Sequence, residues 1–228
     1  IKKEVKEDYI QYLNFLKLRK EKGIEEDSNI TLHSVFTGNP GTGKTTVARL
    51  LGKIFNKMGL LSKGHVHEVD RADLVAEYIG QTAPKVKDAI EQARGGILFV
   101  DEAYSLFRSG EDNKDFGREV IEILIKEMSD GPGDIAIFVA GYPKEMEVFL
   151  DSNPGLKSRF IHYFDFPDYT PQELKEIALS SVKDNKLIIE DSAVTYLYKK
   201  LVDSYRARTR SFGNARMVKS LISEAKMN

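Results

Sequence analysis

Apolar residues along this chain recur in two alternating rhythms. Short apolar runs stand at 31–36, 65–69, 96–100, 135–140 and 161–166, and between them apolar positions return at helical spacing among charged residues. Strand-like runs separated by helical patterns predict a parallel sheet with helices on both faces. Ahead of the first run, Ile1, Val5, Tyr9, Tyr12 and Leu16 predict one amphipathic helix; 46–55 predicts another after the first strand, and 72–77 a shorter one. Past Pro167-Asp168 the strand-like runs stop. Thr170-Pro171-Gln172-Glu173 is a capping box with proline at the first helical position. Asp191 starts a second helix through Tyr196, Leu197 and Leu201, and a third begins near Asn214. Residues 1–167 therefore read as an α/β domain and 168–228 as a small all-helical domain, without internal repeats.

Two motifs carry chemistry. Gly38-Asn39-Pro40-Gly41-Thr42-Gly43-Lys44-Thr45 obeys G-x-x-x-x-G-K-[ST], in which a glycine-rich turn aims backbone N–H groups at nucleotide phosphates. A strand enters this loop and a helix leaves it, so the helix dipole and its free N–H groups face the same anion. In that pattern the lysine reaches the β/γ-phosphates and the Ser/Thr hydroxyl sits on Mg²⁺. The bland alternative is a glycine-rich loop with a lysine nearby. The second motif is Ile97-Leu98-Phe99-Val100-Asp101-Glu102: four apolar residues make a buried strand, and two carboxylates emerge at its carboxyl end, where open α/β sheets bind ligands. Asp101 would hold the Mg²⁺ shell and Glu102 would act as base on the attacking water. Surface carboxylates at a strand end are the competing reading.

Composition narrows the setting. Lys+Arg 34 against Asp+Glu 35 leaves a net charge of −1, which argues against a dedicated nucleic-acid binder. With no cysteine there is no disulfide framework or thiolate metal site, as suits a cytoplasmic protein. No apolar run approaches the roughly 18 residues a membrane span needs. The chain opens on Ile1 and ends inside a helical pattern, so a piece of a longer protein is expected.

Phosphate loop, carboxylate-tipped strand and trailing helical domain together resemble the AAA+ ATPases over nearly the whole chain. Within that family, several stretches resemble one clade: 36–46, Tyr78-Ile79-Gly80-Gln81-Thr82-Ala83-Pro84-Lys85, Asp101-Glu102-Ala103-Tyr104, Ala140-Gly141-Tyr142, 152–160 and Phe166-Pro167-Asp168-Tyr169-Thr170. The clade is that of the red-type Rubisco activase, the stage V sporulation protein K and the ATPases of type VII secretion.

The resemblance implies a P-loop AAA+ core, with a five-stranded parallel sheet between helices, followed by a helical lid. It implies ATP and Mg²⁺ as ligands, with Asn39 to Thr46 around the nucleotide and with Thr45 and Asp101 on the metal, Asp101 through water. Arg159 matches the arginine finger that completes a neighbouring subunit's site; an arginine capping helix carbonyls is the rival reading. Arg216, in Gly213-Asn214-Ala215-Arg216, matches the lid arginine called sensor 2, against a solvated helix arginine. Tyr142 stands where many relatives place an asparagine near the water, and either contacts the nucleotide site or packs beneath it. Tyr78-Ile79-Gly80 resembles a pore loop that grips polypeptide, against a tyrosine ending the 72–77 helix. The polar segment 107–115 stands where a second pore loop would, or is a plain loop.

The implied assembly is a hexameric ring that remodels a client protein, with no membrane. A nucleic-acid motor and a slowly turning nucleotide-gated scaffold are the alternatives. His65 and His67 share one strand face but lack a third metal ligand in sequence. The basic run 205–210 reads as a solvated helix end.

Overall fold

The computed structural model describes residues 11–15, 18, 22, 31–78, 80–107 and 116–227. Of the opening helix, Ile1, Val5, Tyr9 and Leu16 lie outside the described residues, while Tyr12 falls in the helical stretch 11–15. Ile79 and nearly all of the 107–115 segment lie outside them too.

Five strands form one parallel sheet: β1 (Ser34–Gly38), β2 (Val66–Val69), β3 (Ile97–Val100), β4 (Ala136–Gly141) and β5 (His162–Phe166), in the order β2-β3-β4-β1-β5. β3 and β4 are buried along their whole length, as uninterrupted apolar strands covered on both faces must be. Strand alternation and register put Phe36, Phe99 and Phe138 on one face, where the Phe36 ring lies 5.0 Å from Phe138 and 6.1 Å from Phe99. Val35, Leu98, Val100, Ile137 and Val139 turn to the other face and join its helical core.

β1 begins at Ser34 rather than at residue 31 as its apolar run suggests. The reason lies in His33, whose Nδ1 accepts the Ile137 N–H at 2.9 Å and so takes a donor from β4 with a side chain. The ring is 7% exposed and meets Phe160 edge-on, and burial lowers its pKa to about 4.

α1 (Lys44–Lys57) buries Ala48, Leu51, Gly52 and Phe55, an i, i+3, i+4, i+7 stripe. Gly52 lets the helix backbone touch the following loop, since a Cβ there would lie 2.4 Å from the Gly64 carbonyl. α2 (Arg71–Leu74) opens with a capping box between Asp70 and Asp73 and is shorter than the predicted 72–77. Lys85 Nζ donates to the carbonyls of Ala72 and Val75, and Thr82 Oγ1 accepts the Ala76 N–H, so side chains of α3 (Thr82–Ala93) replace the next helical turn. α4 (Phe116–Asp130), α5 (Pro143–Asp151) and α6 (Pro154–Arg159) complete the described helices before β5.

After β5 come α7 (Pro171–Asp184), α8 (Asp191–Arg206) and α9 (Asn214–Met227). The Thr170/Glu173 capping box forms in full. These helices enclose their own core of Leu174, Ala178, Val182, Leu201, Phe212, Val218 and Ile222; Leu197 packs against it, whereas Tyr196 is exposed. By internal contacts the chain forms two compact units. One holds 1–37 and 45–164; the other holds Asp165–Asn228 together with Gly38–Lys44, so the glycine loop belongs to the helical unit.

Candidate functional site

β1 delivers an extended chain to Gly38, and α1 starts at Lys44; the turn between them is the glycine loop. Gly41 stands at φ 71, and a Cβ there would meet the Gly213 carbonyl at 2.2 Å and the Arg216 amide at 2.9 Å. Both conformation and space therefore require glycine. Lys44 Nζ donates to the carbonyls of Gly38 (2.7 Å) and Asn39 (3.0 Å), which fixes the ammonium on the loop. Thr42, almost fully buried, donates its hydroxyl to the Asn39 carbonyl at 2.8 Å.

The helical unit grips this loop through residues that motif reading overlooked. Asn214, fully buried at φ 45, donates its amide to Pro40 O (3.2 Å), Asp168 Oδ1 (2.8 Å) and Phe212 O (3.1 Å) and accepts the Tyr169 N–H at 2.9 Å. Asp168 Oδ1 also accepts from Asn39 Nδ2 at 2.9 Å. The Tyr169 hydroxyl donates to Thr42 O at 2.9 Å, and the Ala215 N–H donates to Gly41 O at 3.2 Å. One signal was present in the sequence: an asparagine at a helix start tolerates left-handed backbone and carries both donor and acceptor. Arg216 follows on α9 with an exposed side chain.

In the other unit, Asp101 and Glu102 follow β3 directly in a turn, both exposed. Asp101 Oδ1 accepts the Glu102 N–H at 3.0 Å, and Glu102 itself is left-handed at φ 48, ψ 41 before the 3₁₀ turn Ala103–Leu106. Tyr104, on that turn, lies against Gly141 and within 5.9 Å of the Tyr142 ring. Its phenol is pushed up to about 12, first by burial and then by the charges of Glu102, Tyr142, Glu145 and Asp101. Tyr142 precedes α5 in extended conformation at the carboxyl end of β4. Thr45 and Thr46 lie on the first turn of α1. The Thr45 hydroxyl and the Asp101 carboxylate are hard oxygen donors, the kind Mg²⁺ takes.

Tyr78 is 67% exposed, and Gly80 at φ 80 has open space around it. Tyr78 and Glu102 line one open cavity of about 1070 Å³ with Asp70, Arg71, Gln81 and Lys85. Arg159, at the end of α6, donates from Nε to Ser129 Oγ at 2.5 Å and from Nη1 to the Gly155 carbonyl at 3.0 Å. His65 bonds through Nε2 with the Gln92 carbonyl at 2.7 Å. In the basic run, Arg208 stacks on Tyr205 at 3.8 Å and stands 3.6 Å from Asp168 Oδ2, so this residue has a partner beyond solvent. No described helix is long and apolar enough to cross a membrane.

Comparison with known proteins agrees with this architecture. Residues 34–167 match the ATPase family associated with various cellular activities (AAA), and residues 170–228 match the AAA lid domain. The chain is 46% identical over 227 residues to the stage V sporulation protein K of Bacillus subtilis (strain 168), covering 99% of this chain and 69% of that protein. It is 43% identical over 197 residues to protein CbbX of Cereibacter sphaeroides, covering 86% of this chain and 63% of CbbX. Among solved structures, a RuvB variant of Thermotoga maritima aligns with TM-score 0.62 at 21% identity, over 100% of this chain and 62% of that one, a likeness of fold alone. Glycine loop, carboxylate-tipped strand and capped helical segment are thus those of one lineage, and the chain belongs to the AAA family of ATPases, with the lid domain that accompanies its AAA domain.

Proposed function

We propose that this protein hydrolyses ATP to remodel other proteins, working as a ring of copies of itself in the cytoplasm. The observation that carries the reading is the glycine loop 38–45, set between β1 and α1 with Lys44 on it. In this reading 1–167 act as the nucleotide-binding domain and 168–228 as the lid. Asn39 to Thr46 surround the phosphates, Lys44 pairs with their charge, and the first turn of α1 points its N–H groups at them. Mg²⁺, held by Thr45 and through water by Asp101, would neutralise phosphate charge. Glu102 takes the proton from water as its oxygen bonds to the terminal phosphorus and the bond from that phosphorus to the ADP oxygen breaks. Tyr142, just after β4, and Arg216, on α9, contact the nucleotide.

Arg159 serves the site of a neighbouring copy, where a cation on the transferring phosphoryl group is worth about 10³–10⁵ in rate. To do so it exchanges Ser129 and the Gly155 carbonyl for phosphate oxygens. Tyr78, with Ile79 and Gly80, holds the client chain; its exposure and the open space at Gly80 support that role. Similarity to the stage V sporulation protein K and CbbX supports this branch of the family. The test is mass in solution of the Glu102→Gln variant with and without ATP. The expected result is an ATP-dependent ring that binds but does not cleave nucleotide. A monomer under all conditions would refute the reading, as would ATP turnover by the unsubstituted chain that polynucleotide stimulates and protein does not.

A further inference from the structure

We propose that Tyr169, Asn214 and Asp168 are positioning residues for nucleotide binding, which hold the carbonyls of the glycine loop so that its N–H groups face the phosphates. This rests on reading 38–45 as the phosphate site. Three consecutive carbonyls of the loop are bonded from the helical unit: Pro40 O by the Asn214 amide, Gly41 O by the Ala215 N–H and Thr42 O by the Tyr169 hydroxyl. In a trans peptide the C=O and the following N–H point in opposite directions. No described peptide bond is cis. Turning the carbonyls of 40, 41 and 42 toward the helical unit therefore turns the N–H groups of Gly41, Thr42 and Gly43 away from it. Those three amides form the concave donor surface that an anion occupies.

The residues that do the holding are themselves fixed. Asn214 is fully buried, and both ends of its amide are bonded. Its left-handed backbone suits asparagine better than any apolar residue of similar size. Asp168 joins the Asn214 and Asn39 amides on one oxygen, while Arg208, stacked on Tyr205, faces the other. A charged acceptor shared by two amides makes stronger bonds than a neutral one. A glycine-rich loop left free would have to lose its conformational freedom when the nucleotide arrives; here it is ordered beforehand. Asp168, Tyr169 and Asn214 therefore act on the phosphates through the loop and not by touching them.

The prediction separates this role from simple lid stability. Tyr169→Phe removes one hydroxyl and keeps the ring. Asn214→Gly keeps access to φ 45 and removes the amide. Affinities of the full chain for ATP and for adenosine are measured by equilibrium titration. Tyr169→Phe should weaken ATP about 3–10-fold, and Asn214→Gly by more than tenfold, while adenosine binding stays unchanged, because only the phosphates meet the loop amides. Lys44→Ala is the control for the underlying assignment: if it leaves ATP affinity intact, 38–45 is not the phosphate site and both readings fall. If Lys44→Ala weakens ATP while Tyr169→Phe and Asn214→Gly do not, the positioning role alone is overturned. Equal losses for adenosine and ATP would overturn it as well, since they would mark general damage to the helical unit.

Discussion

His33 makes the strand that carries the glycine loop sensitive to acid. Its ring is buried, its Nδ1 accepts the Ile137 N–H, and burial lowers its pKa from 6.5 to about 4. The unfolded chain therefore takes up a proton near pH 6.5 that the folded chain refuses until about pH 4. Stability is complete above pH 6.5 and falls as pH drops toward 4, where this contribution is exhausted. At 1.36 kcal/mol for each pH unit, the loss amounts to about 3 kcal/mol. The comparison protein is His33→Asn, whose side-chain oxygen can accept the Ile137 N–H but cannot be protonated in this range. It should be less stable at pH 7, having lost the ring that meets Phe160, yet its profile should be flatter between pH 6.5 and 4. Denaturant titrations followed by far-ultraviolet circular dichroism at several pH values give the difference directly. Other titrating groups, including His162, are common to both proteins and cancel in the subtraction. Parallel profiles would refute the reasoning, because they would mean that His33 takes up its proton equally in both states.

Three further outcomes follow from contacts already described. Mixing Arg159→Ala with Lys44→Ala should restore part of the ATPase activity that each lacks alone, and turnover no greater than the sum of the two would remove the in-trans role. Gly52→Ala should destabilise the protein by about 1–3 kcal/mol in chemical denaturation, since its Cβ would fall 2.4 Å from the Gly64 carbonyl; an unchanged midpoint would mean that α1 shifts freely. Tyr78→Ala should leave the melting temperature within about 1 °C, as expected for an exposed side chain, whereas a fall of several degrees would make Tyr78 a packing residue.

The strands were legible because β3 and β4 are short apolar runs bounded by glycine and charge, and the helical segment because Thr170 and Glu173 form a capping box. Strand starts were less legible. Nothing in the sequence around His33 announces that an imidazole will occupy a β4 amide in place of a ladder carbonyl. The end of α2 was hidden for a similar reason, because Lys85 and Thr82 reach back from the next helix. In the candidate site, the motif spacing marked out the glycine loop, which the fold sets between β1 and α1, and the carboxylate pair that follows β3. It did not reveal that Asp168, Tyr169 and Asn214 hold the loop, since hydrogen bonds across more than a hundred residues leave no local pattern. Arg208 looked like one charge in a basic run; only the fold places it beside Asp168.

Glu102 sits in left-handed backbone, a conformation that glycine adopts without the Cβ penalty of about 1–2 kcal/mol borne by other residues. Folding therefore does not select for an acid at this position, and Glu102→Gly would carry little conformational penalty. On the proposed reading, a copy of this chain could lose its base by one such exchange and keep the local fold of the turn after β3. If Glu102 is the base proposed above, its reason for being an acid is therefore chemical and not conformational, and a glycine at this position would mark a subunit that keeps the turn and lacks the carboxylate.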